Sequence, residues 1–95
     1  MLNGGSLDGA RVLREDTVQL MGRNAIGDIN VPPFVSDNPA VALSAELFPG
    51  QVAKWGLSFV LNTEDIPGMR AANSLAWAGV HNTFFWIDPT RRLTA

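Results

Sequence analysis

A dense aromatic and β-branched run, Thr83-Phe84-Phe85-Trp86-Ile87, ends in the pair Asp88-Pro89. Such residues fit a pleated, half-buried surface, so the run predicts a strand. Asp followed by Pro is typical of a tight turn, which would end the strand and reverse the chain. Only Leu93-Thr94-Ala95 follow that turn, and we expect them to be too few to pair with the strand. The sequence therefore looks cut in mid-hairpin.

The composition suits one small domain. The chain has 95 residues, of which 46% are hydrophobic and 17% are charged, enough apolar material for a core and too little charge for a disordered tail. The net charge of −2, with scattered Lys and Arg, argues against nucleic acid or an anionic membrane as the main partner. Without cysteine, disulfides and thiolate metal sites are excluded.

The sequence contains no stretch that would mark the chain for a membrane or for export. No apolar run approaches the roughly 20 residues of a membrane helix. No signal peptide follows Met1, and any export signal would lie upstream. The compartment stays open, with the cytoplasm slightly favoured.

The first part of the chain predicts a hairpin and a helix. Asp8-Gly9 between short apolar flanks is a signal for a small hairpin. A short helix is expected from Glu15 to Asn24, with Arg14 at its N-cap and acidic residues in its first turn. Its buried stripe would consist of Val18, Leu20, Met21 and Ala25.

The second part predicts a loop and then strands. Repeated Pro and Gly make residues 27–51 a Pro-rich loop, with a helical turn expected near 42–47. Residues 52–62 alternate apolar side chains as a strand does, and two further strands are expected at 70–80 and 83–87. The fold class is α+β, a short helix plus antiparallel strands.

As a free-standing enzyme the chain lacks the necessary parts. No serine is followed by Lys three residues on or sits in a G-x-S-x-G elbow, and there is no tyrosine. An esterase built on Ser74 and the single histidine, His81, is disfavoured because nothing in their spacing makes them meet. Dispersed carboxylates predict no metal site. For Trp55, Trp77 and Trp86, core packing is favoured over a shared binding face.

Four segments carry a resemblance to a known family. Trp77-Ala78-Gly79 falls where serine hydrolases related to class C β-lactamases and penicillin-binding proteins carry a K-T-G-type motif, rewritten as H-x-G or W-x-G in esterase members. Phe85 to Pro89, "FWIDP", is similar to the end of the next strand in that family. Upstream, "LNGGSLDGARVLREDTVQLM" and "KWGLSF" resemble two of its segments. The similarity spans nearly the whole chain, and family VIII carboxylesterases are the nearest type.

The resemblance implies a fold and roles for four residues. Residues 1–95 would be a single partial domain, the C-terminal segment of a β-lactamase/transpeptidase-like fold. The backbone N–H of Val80 would be one oxyanion-hole donor. Trp77, Ala78 and Gly79 would bind substrate, with Trp77 in place of the motif's Lys and Ala78 in place of a hydroxyl-bearing residue or Gly. The S-x-x-K nucleophile and Y-x-N base would lie outside this chain.

Two functional hypotheses stay open. In the first, the chain is a segment of a serine hydrolase that acts through an acyl-enzyme on a small ester or β-lactam without a cofactor, and the segment alone is inactive. In the second, it is a non-catalytic interaction module or remnant, which pairs through exposed strand edges with another copy or with a complementing N-terminal segment. Neither hypothesis involves nucleic acid or a membrane.

Overall fold

The computed structural model describes residues 1–79, 81 and 83–95. In that part of the chain one short helix accompanies two antiparallel sheets, a small mixed domain compatible with the α+β class. In chain order the elements are β1 (Ser6–Leu7), β2 (Ala10–Arg11), α1 (Glu15–Met21), β3 (Ala53–Trp55), β4 (Val60–Asn62), β5 (Leu75–Gly79), β6 (Thr83–Asp88) and β7 (Leu93–Thr94). Strands β1 and β2 form a hairpin, and β3 to β7 form a five-stranded meander.

The small N-terminal hairpin is confirmed. Asp8 and Gly9 connect β1 to β2 with φ values of 48° and 80°. Positive φ at both central residues is what a two-residue type I′ turn requires, and Asp-Gly supplies it at little steric cost. The local sequence was therefore sufficient to specify this turn.

The helix begins where expected and ends early. Arg14 is the N-cap, and its side chain makes no capping hydrogen bond within the described residues. The helix ends at Met21 rather than Asn24, and none of its residues, all of them described, is fully buried. Leu20 is 54% exposed, so the expected buried stripe is wrong. Among the described residues no helix is long and apolar enough to cross a bilayer.

The helix touches the sheet through its C-terminal end. The Leu57 N–H donates to the Met21 carbonyl at 3.1 Å, and the Ala25 N–H donates to the Trp55 carbonyl at 2.7 Å. A Cβ placed on Gly22 would lie 3.4 Å from Cδ2 of Leu75. End-on contact explains why the helix buries no continuous stripe.

The predicted single strand over 52–62 is instead a hairpin. The Gly56 N–H donates to the Phe59 carbonyl at 2.8 Å, which reverses the chain between β3 and β4. Ser58 has a φ of 76°, a left-handed conformation that no regular strand contains. Leu57 consequently lies in the turn and is 44% exposed, whereas Leu61 is buried in β4.

The core lies along one line of cross-strand partners in the meander. Trp55, Val60, Ala76 and Trp86 are successive cross-strand partners from β3 to β6, so their side chains share a face. Val60 and Ala76 are buried, and the two tryptophans pack against them together with Phe48 from the long loop. The neighbouring row places Leu61 beside Leu75, both buried, on the opposite face.

The last residues do pair with β6, contrary to expectation. Thr94 pairs with Ile87 and Leu93 pairs with Asp88. Trp86 and Ala95 exchange backbone hydrogen bonds of 2.9 and 3.1 Å. The connection is short and Arg92 adopts a φ of 56°, which brings the chain straight back beside β6. A short segment is enough because the turn sets its register.

The long loop is extended and folds back on itself. Phe34 and Ala45 exchange backbone hydrogen bonds of 2.8 and 2.9 Å, and Val31 forms an isolated bridge with Ala53. The helical turn expected near 42–47 is therefore wrong: a strand-like bridge occupies that position. The doubling of the loop carries Phe48 onto the core.

A buried carboxylate joins the end of β6 to the loop before β5. Asp88 is fully buried, and its Oδ2 accepts the Ala71 N–H at 2.9 Å while its Oδ1 accepts the Arg91 N–H at 2.8 Å. The Ala71 carbonyl in turn accepts from Nδ2 of Asn62 at 2.9 Å and from the Ser74 hydroxyl at 2.8 Å. The segment around Ala71 is thus held from both sides.

Burial alone raises the pKa of Asp88, but two favourable effects outweigh it. Backbone N–H groups of Ala71, Arg91 and Thr90 donate hydrogen bonds to the carboxylate, and the Arg91 guanidinium lies close to it, with Nε 3.9 Å from Oδ2. The net pKa of Asp88 lies below its ordinary value. A depressed native pKa means that the unfolded chain takes up the proton first as pH falls. The stabilisation is therefore complete above about pH 5 and is lost progressively below about pH 4.

Replacing Asp88 by Asn tests this arrangement. The amide places an NH₂ group against one of the two backbone donors, so we expect Asp88→Asn to lower the free energy of unfolding by about 1–3 kcal/mol at pH 7. The difference from the wild type should shrink between pH 5 and pH 2. Urea unfolding followed by tryptophan fluorescence measures both quantities. Asp28→Asn, at an exposed position, is the matched control. Equal stability of the Asp88→Asn and wild-type chains would contradict the role given to the carboxylate.

A second test concerns the contact between the helix and the sheet. A Cβ added at Gly56 would lie 2.3 Å from the Met21 carbonyl oxygen. Gly56→Ala should therefore cost about 1–3 kcal/mol through overpacking. Gly22→Ala, whose Cβ would make an ordinary 3.4 Å contact with Leu75, should cost less. Chemical denaturation measures the free energy of unfolding of both variants. Equal losses of that free energy would contradict close backbone packing at Gly56.

Candidate functional site

An open cavity of about 830 Å³ lies between the doubled loop and the β5–β6 hairpin. The loop contributes residues 41–45 together with several apolar side chains, and the hairpin contributes most of the opposite wall. Aromatic and aliphatic groups dominate the lining, among them Phe34, Leu47, Phe48, Trp77, Phe84 and Trp86. A large, mainly apolar concavity is the usual form of a small-molecule site.

Three of the four sequence-predicted site residues lie on one wall of this cavity. Trp77, Ala78 and Gly79 are consecutive in β5, and all three line the cavity. Val80, the expected oxyanion-hole donor, lies outside the described residues. The geometry thus brings the three substrate-binding candidates together at the cavity, and their roles stay a prediction.

Trp77 belongs to the wall of the cavity. Its side chain is 37% exposed, and its ring meets those of Trp55 and Phe34 edge-to-face, with centroids 4.7 and 5.7 Å away. Trp55 and Trp86 pack against the core as expected. Core packing is therefore confirmed for Trp55 and Trp86, whereas Trp77, to which the resemblance gives a place in the substrate pocket, lines the cavity.

Gly79 sits where a side chain would meet the neighbouring strand. It pairs with Thr83, the first residue of β6. A Cβ at position 79 would lie 2.6 Å from Oγ1 of Thr83. The absence of a side chain keeps this end of the hairpin closely paired and leaves the adjoining wall open.

Arg70 is the site residue that sequence reasoning missed. Its guanidinium lies 5.2 Å from the ring centroid of Phe48 and 5.5 Å from that of Trp86, within cation–π range of both. Arg70 lines the cavity, and its Nε and Nη1 are buried without a hydrogen-bond partner among the described residues. Burial lowers the pKa of Arg70. The sequence offered no signal, because Phe48 and Trp86 stand in distant segments.

Ser74 and His81 do not form a catalytic pair by any feature of this structure. The Ser74 side chain is fully buried, and its hydroxyl donates to the Ala71 carbonyl at 2.8 Å, so it has a structural partner and no access to a ligand. His81 is exposed and lines the cavity. These positions argue against the free-standing esterase.

Across residues 1–79, 81 and 83–95, no three His, Asp or Glu side chains converge on a point that could hold a metal ion. No protein-family model matches the chain, and no curated protein matches it either. The cavity and the sequence motifs that line it are therefore the basis for inferring function.

The close approach at Gly79 can be tested with a double-mutant cycle. Gly79→Ala should lower the free energy of unfolding by about 1 kcal/mol or more, because the new methyl group overlaps the Thr83 hydroxyl. In a Thr83→Ala background the same change should cost almost nothing. Urea unfolding of the four chains gives the coupling free energy. An identical cost in both backgrounds would show that the hydroxyl does not limit this position.

Proposed function

We propose that the chain forms one wall of the active site of a serine hydrolase related to class C β-lactamases and penicillin-binding proteins, most similar to the carboxylesterases among them. One observation carries the proposal: Trp77-Ala78-Gly79, which resembles the third motif of that family, lines a large apolar cavity. The adjacent strand β6 also ends in Trp86-Ile87-Asp88 and is followed by Pro89, which together form the "WIDP" sequence that follows this motif in the family.

The proposed chemistry is acyl transfer. A serine in an S-x-x-K motif, carried by polypeptide outside these residues, would attack the ester carbonyl, break the bond to the alcohol and form the acyl-enzyme. A Y-x-N tyrosine would take the serine proton and pass it to the departing alcohol, and water would then hydrolyse the acyl-enzyme to release the acid. The Val80 N–H would donate to the oxyanion together with the N–H of that serine. Removing one such donor typically costs about 10²–10³ in rate. No cofactor is needed for these steps.

Trp77 bears on the choice between esters and β-lactams. The family motif carries a Lys at this position, which attracts the carboxylate of a β-lactam. Trp replaces that cation with an apolar ring in contact with Trp55 and Phe34. A site built in this way favours esters over β-lactams.

A second candidate function is an interaction module that pairs through a strand edge. On the side of β6 away from β5, residues 83–85 have no strand partner among the described residues. Phe84 is 71% exposed on this stretch. Unpaired backbone next to exposed apolar side chains is suited to strand addition by another polypeptide.

The hydrolase proposal predicts activity for the complete reading frame. The DNA flanking this frame should encode S-x-x-K and Y-x-N in frame upstream, and the whole product should hydrolyse p-nitrophenyl butyrate with a burst that marks acyl-enzyme formation. Trp77→Lys should shift the ratio of kcat/KM values from the ester towards a chromogenic cephalosporin. Arg23→Lys, at an exposed position, is the control for a distant change of side chain.

Two results separate the candidates. In-frame stop codons on both sides of the 95-residue frame, together with a monodisperse chain that unfolds cooperatively and binds a partner strand, would favour the interaction module. A whole product that carries both motifs but hydrolyses no ester would sink the hydrolase proposal.

A further inference from the structure

We infer that the cavity binds a ligand with an apolar body and a carboxylate, and that Arg70 receives the carboxylate. As a statement about the substrate, this inference rests on the proposed function and names its class, an ester that carries a free carboxylate. As a statement about binding, it concerns the cavity alone and is tested without hydrolysis.

The first reason is the unsatisfied state of the Arg70 guanidinium. Two of its nitrogens, Nε and Nη1, are buried without a partner among the described residues. Burying donors of a charged group without partners is costly, and a native structure normally satisfies them. The faces of Phe48 and Trp86 offset part of the cost by cation–π attraction. Ring faces leave the in-plane N–H donors unused, however, so the positive charge of the guanidinium is not balanced by any of these contacts.

The second reason is the charge distribution of the cavity. None of the described residues that line it is acidic, so no lining side chain can neutralise Arg70 from within. The other basic side chain among the described lining residues is His81, which is exposed. A cation that no lining carboxylate offsets favours an anionic ligand over a neutral one.

The third reason is the shape and chemistry of the remaining wall. A volume of about 830 Å³ holds a ligand of ordinary metabolite or drug size. Trp77, Phe34 and Phe84 supply aromatic surface for the body of the ligand. The family motif carries a positive charge at the position of Trp77. In this chain Arg70 supplies a positive charge at a different place on the cavity wall.

The experiment compares two ligands of matched shape on the 95-residue chain. 4-Phenylbutyrate and its neutral amide, 4-phenylbutanamide, differ in charge while keeping the same ring and chain. Isothermal titration calorimetry should give a dissociation constant at least about tenfold lower for the carboxylate, as expected for a charge-assisted hydrogen bond in an apolar site. Arg70→Gln should remove that preference, because it weakens binding of the carboxylate by about tenfold and changes the affinity for the amide much less. Arg70→Lys should keep part of it.

Arg23→Gln, which removes an exposed arginine away from the cavity, should bind both ligands as the wild type does. Equal affinities of the wild-type chain for acid and amide, or no binding of either, would overturn the inference. So would an Arg70→Gln chain that keeps the preference. If circular dichroism shows that Arg70→Gln does not fold, the comparison of acid with amide on the wild type, beside Arg23→Gln, still decides.

The outcome is separable from that of the proposed function. If the chain binds the carboxylate selectively but its complete reading frame encodes no nucleophilic serine, the inference about Arg70 stands and the hydrolase proposal is rejected. An active hydrolase that binds acid and amide equally would keep the proposed function and reject this substrate class.

Discussion

The buried Asp88 carboxylate determines where the candidate site lies. A charge without solvent must have partners, and this one finds them in backbone N–H groups of the following turn and of Ala71. Ala71 is fixed on its other side by Asn62 and Ser74. Because Arg70 immediately precedes Ala71, the same bonds that close the β6–β7 turn also fix the backbone from which the Arg70 side chain reaches the cavity. Fold and site therefore share one polar junction.

Local chemistry was readable from the sequence wherever a few adjacent residues decide the conformation. Asp8-Gly9 specifies its turn by backbone sterics alone, and the aromatic run before Asp88 specifies its strand. The errors arose where a partner distant in the chain decides. Alternating apolar residues across 52–62 resemble one strand, but the end of the helix packs against Gly56 and the chain reverses there. Helical periodicity likewise predicted a buried stripe, whereas end-on docking leaves Leu20 exposed.

The residues of the candidate site also differ in whether the sequence could identify them. Trp77, Ala78 and Gly79 were identified because a short motif in β5 resembles a known one, and they do line the cavity. Arg70 could not be found by this route. Its significance comes from Phe48, carried in by the doubled loop, and from Trp86 on β6, and neither stands near it in the sequence. A lone arginine at the start of an expected strand is interpreted as a solvated charge until the tertiary contacts are known.

The strands of the meander differ in length, and this has a consequence for motion. β4 pairs only with Leu75 and Ala76 of β5, and β7 pairs only with Ile87 and Asp88 of β6. Residues 77–79 and 83–85 therefore overhang the sheet, and among the described strands their backbones pair only with one another. Amide protons in such an overhang exchange through local openings that cost less free energy than opening the buried base. The overhang is also the cavity wall, so a local opening of these paired residues would widen the cavity without opening the base of the sheet.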